Sequence, residues 1–401
     1  MVIAVTNAWN ILDAGLAKWN TGHNYWETRA IVEELMNRGV DVRLFCDKND
    51  PIDQFSSARV QPTFSLNFYA NVSEDPSWGV LENFVVHNRA FEHDLSLLNR
   101  SVFYKAIAFF PTISQRQLLA IVRWLAQFDD GTRPKTVVTL LPLPDWSPEH
   151  TFARFAQKIW ADCPVKIKKD LALTARTTEV ANQFHQLLGV RSHVLPSPLG
   201  AHYRRAKIAA DINEPMRGPM LVSFLGGARL EKGAGVIPEI VKLCQPLNVR
   251  FFIQAKREAE TGAQVELAEL KGLSNVELYE GVLESDAFHD VIARSIVLIP
   301  YGPNEYRWRS SGIYTEAKFL GAPVIVSAGS WMAEEVRRIG NGLVSDEDTP
   351  ASIAACIAQA AGEIGKLRKN AAICAEEFSR KNGPDRFVDA IETLIESGHV
   401  N

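Results

Sequence analysis

Two stretches in the second half of this 401-residue chain carry side chains suited to binding an anion. In the first, VSFLGGARLEKGAG, Gly227 is followed by Arg229 and Lys232. Glycines after an apolar strand let a ligand approach the backbone closely, and the two cations supply fixed charge for a phosphate group. The spacing fits neither a Walker A loop nor a G-x-G-x-x-G dinucleotide loop. A phosphate-binding turn outside those two classes is one interpretation, and a surface turn with solvated charges is the other.

The second stretch is YRWRSSGIYTEAKFLGAPVIV, where two serines and a glycine precede a predicted helix. A helix that begins near Ser311 presents unpaired backbone N–H groups, and its dipole favours an anion there. Ser310 and Ser311 can cap the helix or bind a ligand oxygen, and Gly312 permits close approach. Glu316 lies about one turn into the helix, where it either binds hydroxyls or stabilises the dipole. Together with Arg229 and Lys232, this pattern suits a nucleoside diphosphate with its ribose.

Short apolar runs alternate with helical patterns along the whole chain, which predicts open parallel sheets covered by helices. A proline-rich and charged segment, Pro196–Pro219, separates two such series and indicates a linker. Two doubly wound domains would leave a crevice between them, and ligands of such sheets bind at the carboxyl ends of the strands. The predicted strands are Val2–Ala8, Asp41–Cys46, Phe103–Phe110, Lys135–Leu141, Leu171–Arg176, Ser192–Pro196, Met220–Gly227, Val249–Ala255, Val276–Gly281, Ile296–Tyr301 and Ala322–Ser327.

The composition excludes several classes of protein. Apolar residues make up 46% and charged residues 22%, with a net charge of −4, so no basic excess indicates a nucleic-acid partner. The five cysteines are scattered singly and the nine histidines do not cluster at ligand spacing, so we expect reduced thiols and no metal. No apolar run approaches the ~18 residues that cross a bilayer. We therefore expect a cytoplasmic protein without cofactor.

The second half resembles the C-terminal domain of the family-4 (group 1) retaining glycosyltransferases, which have the GT-B fold. The similar stretches occur in the family's order between Val222 and Ala360, and they include FLGGARLEKGAGVIPEIV, NVELYEGVLESD and SSGIYTEAKFLGAPVIVSAGSW. The first half is similar more loosely, through TGHNYWETRAIVEELMNRGVDVRLF and ALTARTTEVANQFHQLLGVRSHVLPSPLG. The resemblance implies an α/β protein with two Rossmann-like domains that face each other across a cleft.

The resemblance also implies an activity: transfer of a hexosyl group from a nucleoside diphosphate sugar to a glycan, lipid-linked or other hydroxyl acceptor, as in polysaccharide biosynthesis. Arg229 and Lys232 would hold the donor diphosphate, and Glu316 would bind the ribose hydroxyls. It predicts an acceptor-side domain at 1–200, a nucleotide-sugar-binding domain at 201–378, and a final segment at 379–401 that crosses back. The other implied donor-binding residues are Gly22, His23, Gly227, Gly281, Val282, Ser310, Ser311, Gly312 and Ile313.

The sequence departs from the family's pattern at the residue eight positions before Glu316. Trp308 stands where the first acid of the E-x7-E pattern is expected, so the donor sugar is not assigned. Gln254 and Lys256 stand where a glycine pair is common. Three alternatives therefore stay open: an inverting GT-B transferase, a sugar-nucleotide epimerase, and a non-catalytic nucleotide-sugar-binding protein of an assembly complex.

Two features of the first half bear on the acceptor. His87 follows an apolar run, which would place it at a strand end on the acceptor side of the cleft; a structural histidine is the alternative. The segment Arg116–Phe128 is apolar over a broad face. It indicates either a core helix or peripheral contact with the inner face of a membrane.

Overall fold

The computed structural model describes most of the chain. The described residues are 8–18, 23–53, 55, 57–75, 77–141, 151–190, 192–199, 218–255, 267–307, 309 and 311–397. The chain divides into two compact units, of which the first comprises Met1–Leu199 with Asn382–Asn401 and the second comprises Gly200–Lys381.

The first unit contains a seven-stranded, fully parallel sheet in the order β3-β2-β1-β4-β5-β6-β7. Its central strands are buried along almost their whole length, as expected when helices cover both faces of a sheet. The strands are β1 Ala8–Leu12, β2 Asp41–Asp47, β3 Arg59–Phe64, β4 Ile107–Ile113, β5 Lys135–Leu140, β6 Leu171–Ala175 and β7 His193–Val194.

Helices connect these strands. They are α1 His23–Asn37, α2 Gly79–Ser96, α3 Gln115–Leu125, α4 Thr151–Asp162, α5 Val165–Lys168 and α6 Thr178–Leu188. In α3 a capping box fixes the start, because Ser114 accepts a backbone hydrogen bond while Gln117 binds back to the backbone of Ser114.

The first described strand and the first helix lie near the N-terminus. The predicted strand Val2–Ala8 lies outside the described residues except for Ala8, and the described strand is Ala8–Leu12. Helix α1 begins at His23, and its Glu27 forms an ion pair with Arg176 at 2.7 Å. The partner of this carboxylate is 149 residues away in the sequence.

The second unit contains a six-stranded parallel sheet in the order β10-β9-β8-β11-β12-β13. Its strands are β8 Met220–Phe224, β9 Val249–Gln254, β10 Val276–Tyr279, β11 Ile296–Ile299, β12 Val324–Val326 and β13 Gly342–Val344. Its helices are α7 Ile237–Leu243, α8 Ser285–Arg294, α9 Pro303–Tyr306, α10 Gly312–Leu320, α11 Trp331–Ile339 and α12 Pro350–Lys381.

The last helix, α13 (Pro384–Glu396), belongs to the first unit and packs beside α1. Phe387 contacts the ring of Phe109 edge-on, with ring centroids 5.7 Å apart, and Arg38 of α1 pairs with Asp389 at 2.7 Å. The start of the predicted linker is bonded to the residues just before α13, since the backbone N–H of Ser197 donates to Asn382 Oδ1 at 2.6 Å. Two doubly wound parallel sheets with covering helices confirm the predicted α/β fold class.

Candidate nucleotide-binding site

The carboxyl edge of the second sheet collects the segments that the sequence singled out. Strands β10, β9, β8 and β11 are neighbours in the sheet and all run in the same direction. The loop with Gly281 follows β10, the turn with Arg229 follows β8, and the segment leading to Ser311 follows β11. Since the carboxyl ends of parallel strands share one edge, three chain segments that are far apart in sequence meet there.

The glycine turn after β8 packs directly on the segment after β11. A Cβ on Gly233 would lie 2.0 Å from the carbonyl oxygen of Pro300, so no side chain fits at this contact. The chain curls back at a short 3-10 turn, Leu230–Lys232, which brings the ammonium of Lys232 to 3.4 Å from the position that a Cβ of Gly226 would take. The Lys232 charge therefore lies over the glycine backbone.

Arg229 and the approach to α10 lie close to the same buried side chain, Tyr301. The guanidinium Nε of Arg229 is 3.1 Å from Glu231 Oε1, an ion pair that orients the arginine. Burial raises the pKa of Tyr301 well above its ordinary value, while the cations of Arg229 and Arg309 act in the opposite direction. Arg309 lies over the ring of Tyr306, 5.1 Å from its centroid. Two arginines from separate loops thus border one tyrosine.

Helix α10 begins as the sequence predicts. Ser311 is its N-cap, and its hydroxyl accepts a hydrogen bond from the backbone N–H of Tyr314 at 3.2 Å. Gly312 and Ile313 are half-buried at the first turn, and Glu316 is 8% exposed one turn further on. The serine therefore satisfies one backbone N–H at the helix start, and the carboxylate lies at the margin of the core.

A buried lysine holds α10 against its neighbours. Lys318 is 7% exposed, and its ammonium lies 3.2 Å from both carboxylate oxygens of Glu335 in α11. The rings of Tyr314 and Phe378 flank the charge at 4.7 and 4.4 Å. Trp331 donates its indole N–H to the carbonyl of Arg309. Sequence reasoning missed Lys318, because its partners come from three helices.

The loop after β10 is held by two side chains. The carbonyl of Gly281 accepts a hydrogen bond from Gln254 Nε2 at 3.0 Å, and the carbonyl of Val282 accepts one from Tyr279 Oη at 3.2 Å. A Cβ on Gly281 would lie 3.0 Å from the tyrosine oxygen, so the ring covers this glycine. Val282 itself is 59% exposed. The loop thus has a fixed backbone and an open apolar side chain.

Solved structures of known proteins resemble this chain over nearly its full length. Sucrose-phosphate synthase from Thermosynechococcus elongatus superposes with a TM-score of 0.67 at 15% identity, over 97% of this chain and 98% of that chain. Anabaena HepE in complex with UDP and glucose gives 0.61 at 14% identity, over 98% and 100%. WaaG, a glycosyltransferase involved in lipopolysaccharide biosynthesis, gives 0.58 at 15% identity, over 97% and 99%. The chain has the GT-B fold.

No protein-family model and no curated protein matches the sequence. At identities of 14–15%, the likeness to GT-B structures defines the fold. The assignment of individual residues in this GT-B chain therefore depends on the geometry of its own side chains.

Part of the predicted site lies outside the described residues. This applies to Gly22 and Ser310, to Trp308, and to the side chain of His23, whose backbone begins α1. The predicted residues that the structure does describe in the second GT-B unit all follow neighbouring strands at one sheet edge. They are Gly227, Arg229, Lys232, Gly281, Val282, Ser311, Gly312, Ile313 and Glu316.

His87 lies in the middle of α2, not at a strand end, so that part of the prediction is wrong. The residue is 2% exposed, and its Nε2 donates to the carbonyl of Ala70 at 2.8 Å. Its Nδ1 accepts from the side-chain amide of Gln117 at 3.2 Å. Burial, with the nearby charge of Arg116, lowers the pKa of His87 to about 4. A neutral imidazole with both nitrogens bonded to protein joins α2 to α3, which is a structural role.

The carboxyl edge of the first GT-B sheet holds a charged cluster that sequence reasoning missed. Asp13 follows β1 and is fully buried, and burial raises its pKa to about 7 against the effects of the Gly15 N–H and the Arg176 guanidinium. Arg176 follows β6 and pairs with Glu27 of α1. The sequence signal for this cluster was a charged residue directly after each of two apolar strands. That signal could not indicate which carboxylate would pair with Arg176.

Two broader expectations can be compared with the described residues. Among them, no group of His, Cys, Asp or Glu is arranged to hold a metal ion, and no helix is long and apolar enough to cross a membrane. The segment Arg116–Phe128, for which membrane contact was one interpretation, lies largely in α3. Most side chains of α3 are buried in the first unit. A core role explains its apolar face.

Proposed function

We propose that this protein is a metal-independent, retaining glycosyltransferase that moves a sugar from a nucleoside diphosphate sugar to a hydroxyl of a glycan, lipid-linked or other acceptor. The observation that carries the proposal is that Arg229 and Arg309, the latter two residues before the N-cap of α10, both lie near the buried Tyr301. Lys232 lies in the same turn as Arg229, and Glu316 lies one turn inside α10. The GT-B fold and the resemblance of these motifs to family-4 enzymes support it.

The proposed reaction depends more on stabilisation of charge than on covalent participation of the protein. As the bond between the anomeric carbon and the donor phosphate breaks, negative charge builds on the leaving diphosphate. The Arg229 guanidinium, the Lys232 ammonium and the N–H groups at the start of α10 stabilise that charge. Glu231 orients the guanidinium before the substrate arrives, through the ion pair at 3.1 Å. Because these groups supply the positive charge, the proposed reaction proceeds without a divalent cation.

The nucleoside half of the donor is assigned to two other elements. The Glu316 carboxylate accepts hydrogen bonds from the ribose hydroxyls, and the loop Gly281–Val282 contacts the base. The exposed Val282 side chain offers an apolar surface for that contact. A uridine nucleotide is the first donor to test, since HepE, which has the same fold, is described in complex with UDP.

A thermal-shift panel of UDP, ADP, GDP and the corresponding nucleotide sugars tests the binding half of the proposal. One nucleotide family should stabilise the wild type, and the shift should shrink in Glu316→Ala because the ribose contacts are lost. Glu334→Ala, an exposed glutamate on α11, is the matched control and should keep the full shift. Equal shifts in wild type and Glu316→Ala would remove Glu316 from the site.

Turnover tests the catalytic half. A second candidate, a non-catalytic nucleotide-sugar-binding protein, is favoured by Trp308 at the position where the family has its first acid. Release of nucleoside diphosphate by the purified protein would exclude this candidate, while binding without turnover across an acceptor panel would support it. The anomeric configuration of the product, read by NMR, then separates a retaining from an inverting enzyme.

A further inference from the structure

Gln254 connects two loops of the candidate site. It is the last residue of β9, the strand between β8 and β10, and it is 3% exposed. Its Oε1 accepts a hydrogen bond from the backbone N–H of Gly226, and its Nε2 donates to the carbonyl of Gly281, each at 3.0 Å. One side-chain amide thus spans the gap between the glycine turn after β8 and the loop after β10.

The chemistry of this bridge requires an amide. One end must accept and the other must donate, which a primary amide does with a single orientation. An aliphatic side chain of similar size would leave a backbone N–H and a carbonyl without partners in a buried place, and each such loss is costly. A carboxylate would keep the bond from Gly226 but could not donate to Gly281. The glutamine, which looked like a departure from a glycine-rich pattern, therefore has a defined bonding role.

We propose that Gln254 is a positioning residue of the donor site, which fixes the spacing between the phosphate-binding turn at Gly226–Gly227 and the base-side loop at Gly281–Val282. This inference rests on the proposed function, in which one nucleoside diphosphate touches both loops. Its diphosphate lies at the first loop and its base at the second, so a rigid bridge between the loops sets the distance that a bound nucleotide must match. Gln254 acts through the two loops and does not itself contact the reacting atoms.

The Gln254→Glu variant tests the bridge through pH. Affinities for UDP, ADP and GDP are measured by calorimetry for wild type and variant between pH 5.5 and 8.5. At pH 8.5 the ionised glutamate cannot donate to Gly281, and the variant should bind about tenfold more weakly than wild type. As the pH falls, the buried carboxyl takes up a proton and donates again, so the ratio of the two affinities should return towards one. Gln254→Leu should be weaker at every pH without recovery.

Ser223→Ala is the matched control. Ser223 on β8 makes a buried hydrogen bond to Ser295 at 2.7 Å and takes no part in the two hydrogen bonds of Gln254. It should lower the melting temperature and leave nucleotide affinity within about twofold of wild type at all pH values. The melting temperature of each variant shows that it is folded.

Each outcome decides one of the two ideas. Wild-type affinity in both Gln254 variants, or an equal and pH-independent loss in both, would overturn the positioning role. A wild type that binds none of UDP, ADP and GDP would instead overturn the proposed function, before any variant is compared.

Discussion

The carboxyl ends of the two sheets hold charged side chains whose partners differ. In the second unit, Arg229 pairs with Glu231 in the same turn, and the ammonium of Lys232 lies over the backbone of Gly226. In the first unit, Arg176 is 13% exposed in its side chain, pairs with Glu27 and lies beside the fully buried Asp13. The carboxylate that pairs in the second unit is local in sequence, whereas those near Arg176 come from a separate helix and from the end of another strand. The position of a charged side chain at a sheet edge is therefore insufficient to assign its role, which depends on its partners.

The largest effect is expected at Lys232, which the proposed function assigns to the donor diphosphate. Lys232→Ala should lower kcat/KM for the sugar donor by about 10²–10³-fold, because one preorganised charge on the leaving diphosphate is lost. The free energy of unfolding should change by about 0.5 kcal/mol or less. The measurement is release of nucleoside diphosphate from the donor. Lys242 is an exposed lysine on α7, and Lys242→Ala should keep the wild-type rate. A Lys232→Ala variant that also kept the wild-type rate would remove the distinction between the two regions.

The next effect concerns the first unit and should appear in stability. Arg176→Met leaves Glu27 and Asp13 without a cation, which should cost about 3–5 kcal/mol at pH 8. Part of the loss should return at pH 5, because burial raises the pKa of Asp13 to about 7 and its carboxyl is then protonated. Calorimetric melting of the full chain at both pH values is the measurement.

Arg59→Met provides the comparison for that prediction. Arg59 pairs with Asp41 in the same unit, but its side chain is 63% exposed, so its loss should cost below about 1 kcal/mol. If Arg176→Met were as mild as Arg59→Met, the cluster in the first unit would not be a structural element.

The smallest effect is a pH dependence at His87. Its folded-state pKa of about 4 lies below the ordinary value of 6.5, so the unfolded chain takes up the proton first as the pH falls. Stability from the neutral imidazole is therefore complete above pH 6.5 and is lost as the pH falls towards 4, by about 1–3 kcal/mol. His87→Gln should make melting temperature less sensitive to pH in this window.

His93→Gln, an exposed histidine on the same helix, should leave the pH profile unchanged. A His87→Gln profile that matched wild type would show that other groups cause the acid sensitivity. If the melting profile were unchanged and the kinetics with the acceptor were altered, His87 would instead belong to the acceptor side of the site.

Much of the fold was predictable because its signals are local. The apolar runs at Asp41–Cys46 and Val249–Ala255 predicted strands, and the serine before Gly312 predicted the start of α10. Harder cases had competing signals. The segment with His87 looked like a buried strand because Phe84, Val85 and Val86 are consecutive, yet it forms a helix whose buried side includes polar residues. The predicted strand Val2–Ala8 shares only Ala8 with the described residues, where the strand Ala8–Leu12 begins.

The sequence by itself determined the alternation of strands and helices, the positions of the candidate anion-binding motifs and the cap of α10, because each depends on residues within a few positions of one another. Only the tertiary structure decided that Gln254 joins Gly226 to Gly281, that Lys318 lies among Tyr314, Trp331 and Phe378, and that Arg176 pairs with Glu27. These contacts depend on which strands become neighbours. Strand order is set by long-range packing, and no local periodicity encodes it.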